Sequence, residues 1–308
     1  MAGLAPPHAP LCSAPDGEPR APRFALPGGA CDCHAHVFGP AAAFPYDAER
    51  IYTPPDASIE AYRHLLATLG AERAVLLQPS VYGEDNRAML AALAAGGPGF
   101  RGVAVVAPTV PAHDVAALHR SGIRGVRLNL VDRREGRNLA PVESAQALAD
   151  RIAGFGWHME FLVNFDEAPG FASAVADLAV PIVLGHLGYP RSGARAFVES
   201  PAFESLLRLL AGGRCWVKLT APYRISGAPD LPYDDVDPLA ARLVEHAPGR
   251  LLWGSDWPHV MMKKPMPNDG PLCDLLERWI PDPATRKRIL VDNPMALYGF
   301  GADERING

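Results

Sequence analysis

Two histidines stand two residues apart in the stretch CDCHAHVFGP, at His34 and His36. A third, His186, closes the apolar run VPIVLGH, and Asp256 closes RLLWGSD. An aspartate can take a proton from water. Histidines can hold a divalent metal, or can donate hydrogen bonds to a carbonyl oxygen. If a metal binds, the candidate ligands are His34, His36, His186 and Asp256, with zinc or manganese as the candidate ion. Arg127 interrupts the run GIRGVRLNL, Arg133 follows it, and Arg224 follows CWVKLT. A guanidinium forks onto a carboxylate, so three arginines leading into one pocket would suit a substrate with one or two carboxylates. Glu160 shares a strand face with His158 and Leu162, where it could ligate a metal or pair with an arginine. His259 lies just beyond Asp256 as a further candidate pocket residue. Cys31 and Cys33 have the spacing C-x-C rather than the redox spacing C-x-x-C. If the two histidines face a barrel axis, period two turns both cysteines toward the helices, as small packing residues.

These residues can converge only if a scaffold gathers them. Eight short apolar runs recur along the chain: 30–38, 73–80, 101–108, 122–130, 157–163, 180–186, 215–220 and 250–256. They are apolar along their length, as parallel strands covered on both faces are. Longer amphipathic runs lie between them. SIEAYRHLLATLG puts Tyr62, Leu65, Leu66 and Leu69 on one helical face, with Ser58 as the cap and Gly70 as the stop. PAHDVAALHRSG, ESAQALADRIAGFG and SPAFESLLRLLAGG behave likewise. Strands alternating with helices fit a (β/α)8 TIM barrel, with a doubly wound sheet as the alternative. The long insertions 38–57, 131–142, 187–200 and 257–270 would then be loops on the catalytic face. Residues 1–29, rich in Pro, Gly and Ala, read as an extended lead-in that is poorly ordered or draped over the surface, and 30–308 as one barrel domain.

The bulk properties agree with a small-molecule enzyme. The 308 residues are 48% hydrophobic and carry a formal charge of −5, which gives no reason to expect nucleic acid or an acidic membrane as partner. The five scattered cysteines argue against a disulfide-stapled fold. Neither a signal-peptide pattern nor a run of about 18 apolar residues is present, so the expectation is a cytoplasmic protein.

The blocks CHAHVFGP, QPSVYGEDN, GVRLNLVDRR, PIVLGHLGYP, WVKLTAPYR, LLWGSDWPH and VDNPMALYGF occur in this order. Together the chain resembles the amidohydrolase superfamily, and within it the 2-pyrone-4,6-dicarboxylate lactonase group, from about residue 22 to 300. The resemblance implies a lactone hydrolase of aromatic catabolism that opens a carboxylated lactone, with Asp256 as the base that activates water. It implies that His34, His36 and His186 polarise the ester carbonyl. Tyr52 and Ser80 match pocket residues, and Arg127, Arg133 and Arg224 match arginines that hold substrate carboxylates. It further implies no required metal cofactor, although many superfamily relatives use zinc or manganese. Two positions depart from the pattern. Tyr189 stands where a fourth arginine is expected, and Leu162 where a strand tyrosine is expected; both changes remove polar contacts. The alternatives are a mononuclear metallohydrolase of another cyclic ester or amide, a metal-dependent decarboxylase, and a non-catalytic acid-binding barrel.

Overall fold

The computed structural model describes residues 9–131 and 142–300. Each of the eight expected runs carries a strand: β1 Cys31–Ala35, β2 Arg73–Leu77, β3 Phe100–Ala104, β4 Ile123–Asn129, β5 His158–Leu162, β6 Ile182–Leu184, β7 Cys215–Leu219 and β8 Leu251–Trp253. They form one parallel sheet in sequence order. The sheet closes where β1 meets β8. The Asp256 amide donates to the His34 carbonyl and the His36 amide to the Trp257 carbonyl, both at 2.8 Å. This is the (β/α)8 barrel, and the doubly wound alternative falls.

The helices that cover the barrel begin with α1 Ile59–Leu69, α2 Arg87–Gly96, α3 Ala112–Arg120 and α4 Val142–Ala153. They continue with α5 Phe171–Ala176, α6 Ala194–Val198, α7 Pro201–Ala211 and α8 Asp237–His246. Four short ones follow: α9 Asp269–Cys273, α10 Leu275–Trp279, α11 Pro283–Lys287 and α12 Asn293–Tyr298. α1 forms as its pattern predicts. The Ser58 hydroxyl accepts from the Ala61 amide, and Gly70 ends the helix at φ 82°, a conformation that costs a side chain-bearing residue about 1–2 kcal/mol. Tyr62, Leu65, Leu66 and Leu69 are its buried face; each buried aliphatic residue contributes about 1.5–3 kcal/mol.

β1 departs from the expected alternation. Asp32 pairs with Ala74 and Ala35 with Leu76, so two residues, Cys33 and His34, oppose the single residue Val75. This extra residue makes a β-bulge, which bends the strand and breaks period two. Cys31 and Cys33 therefore do not face the helices. They cluster with Val75, Leu77, Val103, Val183, Trp216 and Leu252 in the layer that fills the barrel, while His34 and His36 still point to the same interior. Tyr298 and Phe300 join that layer and plug it from below. All five cysteines are free thiols.

From residue 9 on, the lead-in is draped over the surface and anchored; residues 1–8 lie outside the described residues. Thr53 exchanges backbone bonds with Pro10 and Cys12. The Cys12 thiol accepts from the Met261 amide, the Arg20 amide donates to Asn268, and Arg23 bonds Asp274. Residues 9–12 thus tie the loop after β1 to the loop after β8. The expected loop 131–142 falls almost wholly outside the described residues.

Gly254, at the end of β8, packs directly on His34: a Cβ there would sit 2.5 Å from His34 Cβ and 2.7 Å from its amide nitrogen. Gly254→Ala is expected to lower unfolding free energy by about 1–3 kcal/mol through overpacking, read as a drop in the denaturant midpoint with unchanged slope.

Candidate active site

The polar strand ends meet at the C-terminal mouth of the barrel. β1 and its extension supply His34 and His36, β4 supplies Arg127, and the turns after β6, β7 and β8 supply His186, Arg224 and Asp256. Tyr52 and Ser80 line the same cavity, with Leu162, Tyr189, Val260 and Met261. The cavity measures about 30 Å³, room for a water or two. Larger clefts of about 690 and 290 Å³ lie on the outer flanks, and among the described residues neither is lined by a histidine or an aspartate. Arg133 lies outside the described residues.

Asp256 organises the centre. Its Oδ2 accepts from the Tyr223 hydroxyl at 2.5 Å and from Arg224 Nε and Nη2 at 3.1 and 2.9 Å. Its Oδ1 faces His34 Nε2 at 3.4 Å and His186 Nε2 at 3.9 Å. Burial, the largest single influence, would raise the carboxyl pKa, but the Arg224 guanidinium and then His186, His34 and His36 together outweigh it, and Asp256 stays well below the usual carboxylate range. Arg224 also donates to the Val260 carbonyl. It is committed to Asp256 and to backbone, a different contact from the substrate carboxylate expected of it. Arg127 donates to the Gln78 carbonyl, and its Nε has no partner.

The histidines differ in what they can donate. His36 Nδ1 lies 2.9 Å from the Leu77 carbonyl. An oxygen there requires N–H on Nδ1, so the neutral ring presents a bare Nε2. His36 is held neutral, down to about 4, by burial and then by Arg127. It can therefore accept a hydrogen bond but cannot donate one to a carbonyl oxygen. His34 is flanked by two carboxylates, with Glu160 Oε1 3.5 Å from Nδ1 and Asp256 Oδ1 3.4 Å from Nε2. Burial first, then Lys218, keeps its pKa well below the usual value, so one proton must serve two faces. His186 falls to about 3, mainly through burial. Glu160 points inward as expected, but its partner is Lys218 Nζ at 2.6 Å rather than an arginine. Both are fully buried, and neither lines the cavity.

His34, His36 and Asp256 offer three ligand atoms within 4.8 Å of one another, the one such group among the described residues. The unpartnered Nε2 of His34, the bare Nε2 of His36 and a carboxylate oxygen of Asp256 fit a single divalent ion. The same acceptors also fit a water that donates to two of them. His186 stands outside that group.

Two neighbours, Tyr223 and Asp269, escape sequence reading. Tyr223 sits beside the chosen Arg224 without a spacing signal. His259, a candidate for the pocket, is fully buried behind it and bonds Tyr223 and Asp269 at 3.0 Å each. Asp269 opens α9 at the end of a Pro-containing stretch, and only the fold brings it near.

An imidazole whose pKa is depressed by folding stabilises the fold above its unfolded value, about 6.5. That stability is lost as pH falls toward the folded pKa. His36 and His158 at about 4, His186 at about 3, and His34, also depressed, all act in this direction. Asp32, raised to about 6 chiefly by burial, opposes them. Its contribution is complete below its unfolded pKa and fades as pH rises through 6. Four imidazoles against one carboxyl leave an uptake of about three protons on unfolding near pH 5. The urea midpoint is expected to fall steeply from pH 6.5 toward 4, with a shallower decline on the alkaline side as His259, raised by Asp269 against the cost of burial, gives up its proton. A midpoint indifferent to pH in that window would contradict the neutral histidines.

Comparison with known proteins places this arrangement. The family model described as Amidohydrolase matches residues 31–300. The chain is 38% identical over 289 residues to a 2-pyrone-4,6-dicarboxylate hydrolase of Comamonas testosteroni, covering 91% of this chain and 93% of that protein. It is 38% identical over 296 residues to a 4-sulfomuconolactone hydrolase of Rhizobium radiobacter, covering 94% and 96%. A crystal structure of a putative 2-pyrone-4,6-dicarboxylic acid hydrolase from Pseudomonas putida superposes with a TM-score of 0.78 at 33% identity, covering 90% of this chain and all of that one.

Proposed function

This chain belongs to the amidohydrolase family, and on that premise we propose that it is a hydrolase opening an anionic lactone, carboxylated or sulfonated, with Asp256 as the base. The observation that carries the reading is the asymmetry of Asp256. Three donors occupy Oδ2, while Oδ1 faces the histidines and the cavity. Water donates one hydrogen to Asp256 Oδ1 and the other to His36 Nε2, which leaves a lone pair for the lactone carbonyl carbon. As the C–O bond forms, Asp256 takes the proton. A ring N–H of His186 stabilises the oxyanion. Collapse breaks the bond to the ring oxygen, and the proton on Asp256 passes to that oxygen, which leaves as an alcohol or enol. The His36 tautomer supports a water-holding role in place of the oxyanion contact that the resemblance implies.

The walls support a substrate with one principal anionic end. Arg127 lies at one side of the cavity with Tyr52 and Ser80, while Leu162, Val260 and Met261 supply an apolar wall. The two named relatives carry, in their names, a dicarboxylate and a sulfonated lactone. The partner is therefore a small anionic lactone rather than a nucleic acid. No helix among the described residues is long and apolar enough to cross a membrane.

A second reading keeps Asp256 and adds a divalent ion held by His34, His36 and Asp256, favoured by their convergence within 4.8 Å. When bound, such an ion supplies Lewis-acid polarisation of the carbonyl. Elemental analysis of protein purified without added metal separates the two. About one equivalent, with turnover lost on removal and restored on return, supports the ion; full turnover of metal-free protein excludes it.

A panel of 2-pyrone-4,6-dicarboxylate, 4-sulfomuconolactone and a sugar-acid lactone is expected to contain a substrate. Asp256→Asn should lower kcat on it about 10³-fold while the circular dichroism spectrum stays that of the parent; the melting temperature should fall, because Arg224 loses its buried counter-charge. Near-parental turnover in that variant would remove the base assignment.

A further inference from the structure

Behind the base lies a line of buried polar groups with no place in the reaction so far. The Tyr223 hydroxyl sits between Asp256 Oδ2 at 2.5 Å and His259 Nδ1 at 3.0 Å. His259 Nε2 lies 3.0 Å from Asp269 Oδ1. Every member is buried: Tyr223 is 4% exposed, His259 0% and Asp269 2%. An acceptor carboxylate at Asp269 requires N–H on His259 Nε2. The charged Asp256 oxygen is the stronger acceptor, so the phenolic hydrogen points to it, and the contact with His259 then requires a hydrogen on Nδ1 as well, donated to the phenolic oxygen by a doubly protonated ring.

The backbone needs holding at this place. Asp256 and His259 adopt φ 64° and 59°, and Met261 φ 59°, left-handed conformations for non-glycine residues. Each costs about 1–2 kcal/mol and persists only where surrounding contacts over-determine it. The turn is closed by the His259 amide on the Asp256 carbonyl. Its two strained side chains are joined through Tyr223, and the far end is moored on α9 through Asp269.

We propose that Asp269, His259 and Tyr223 are a train of positioning residues that turns Asp256 so that Oδ2 is occupied and Oδ1 alone is offered to water. The proposal rests on the reading of Asp256 as the base. Arg224 gives Oδ2 its charge complement, while Tyr223 gives it direction. A carboxylate free to rotate would present either oxygen, and the productive geometry would be populated for only part of the time. The loss belongs to the chemical step, because Tyr223 and Asp269 are absent from the residues that line the cavity.

The test is a double-mutant cycle on the lactone of the panel that turns over fastest. Tyr223→Phe keeps the ring and removes the hydroxyl. On the parental background it is expected to lower kcat about 10- to 100-fold with KM changed less than about threefold. On the Asp256→Asn background it should change the residual kcat less than about twofold, because its effect passes through Asp256. Equal losses on both backgrounds, or no loss on the parental one, overturn the train. Asp269→Ala should cost about tenfold in kcat, and Asp269→Asn, which keeps the acceptor, should recover most of it. Equal loss in both overturns positioning by that acceptor. If Asp256→Asn itself turns over normally, the base assignment falls and the train with it. If Asp256→Asn is slow while Tyr223→Phe is silent, the train alone falls.

Discussion

Closure of the barrel at the β1–β8 seam is the constraint on which the site depends. The seam places the backbone of Asp256 on that of His34, so the base and the first histidine are joined before any side chain acts. Asp32 sits on the outer side of the same seam. It accepts from the His34 amide, the Ser255 amide and hydroxyl, and the Tyr62 hydroxyl of α1. Four donors on one buried carboxylate fasten two strands and a helix together. Each would cost about 1–3 kcal/mol if left unsatisfied. The lead-in residues tie the loops above the seam, so the mouth is braced both at the strands and at the rim.

Charge inside the barrel follows from that geometry. Glu160 is matched by Lys218 and Asp256 by Arg224, as burial demands, since an unpaired buried charge costs several kcal/mol. The imidazoles between these pairs remain neutral because burial penalises their charged form. A neutral imidazole has one hydrogen to give. The Leu77 carbonyl takes that of His36, and this sets the centre as a collection of acceptors around Asp256 Oδ1. Such a centre calls for a donor, and both water and a cation answer that description.

Much of this was legible in the sequence. Strands appear because eight short apolar runs recur between amphipathic ones, and the caps Ser58 and Ser200 act where their spacing places them. His34, His36, His186 and Asp256 were recognisable as strand-end residues, and the structure brings them together. What pairs with what was less legible, because partners are chosen by register between distant strands. Lys218 meets Glu160 across 58 positions of sequence. Asp269 stands out only when the loop after β8 is folded back on Tyr223, and His259, readable as a pocket candidate, is there found to bond both. Arg224 was readable as an anion-binding group, but its first anion is the protein's own carboxylate. Arg133, in the loop after β4, lies outside the described residues.

The bulge in β1 carries a lesson about numbering. Alternation along CDCHAH assigns one parity to the cysteines and the other to the histidines, yet the strand spends one residue on changing phase. Both sets thereby reach the interior, the thiols low in the barrel and the imidazoles at its mouth. The stretch is therefore a phase shifter, and its length is part of its chemistry. Removing Cys33 alone would restore a regular ladder and leave both histidines in the sequence, two apart and on one face. The layer beneath them would lose one of its two thiols, so an intact H-x-H does not by itself mean an intact floor under the two rings.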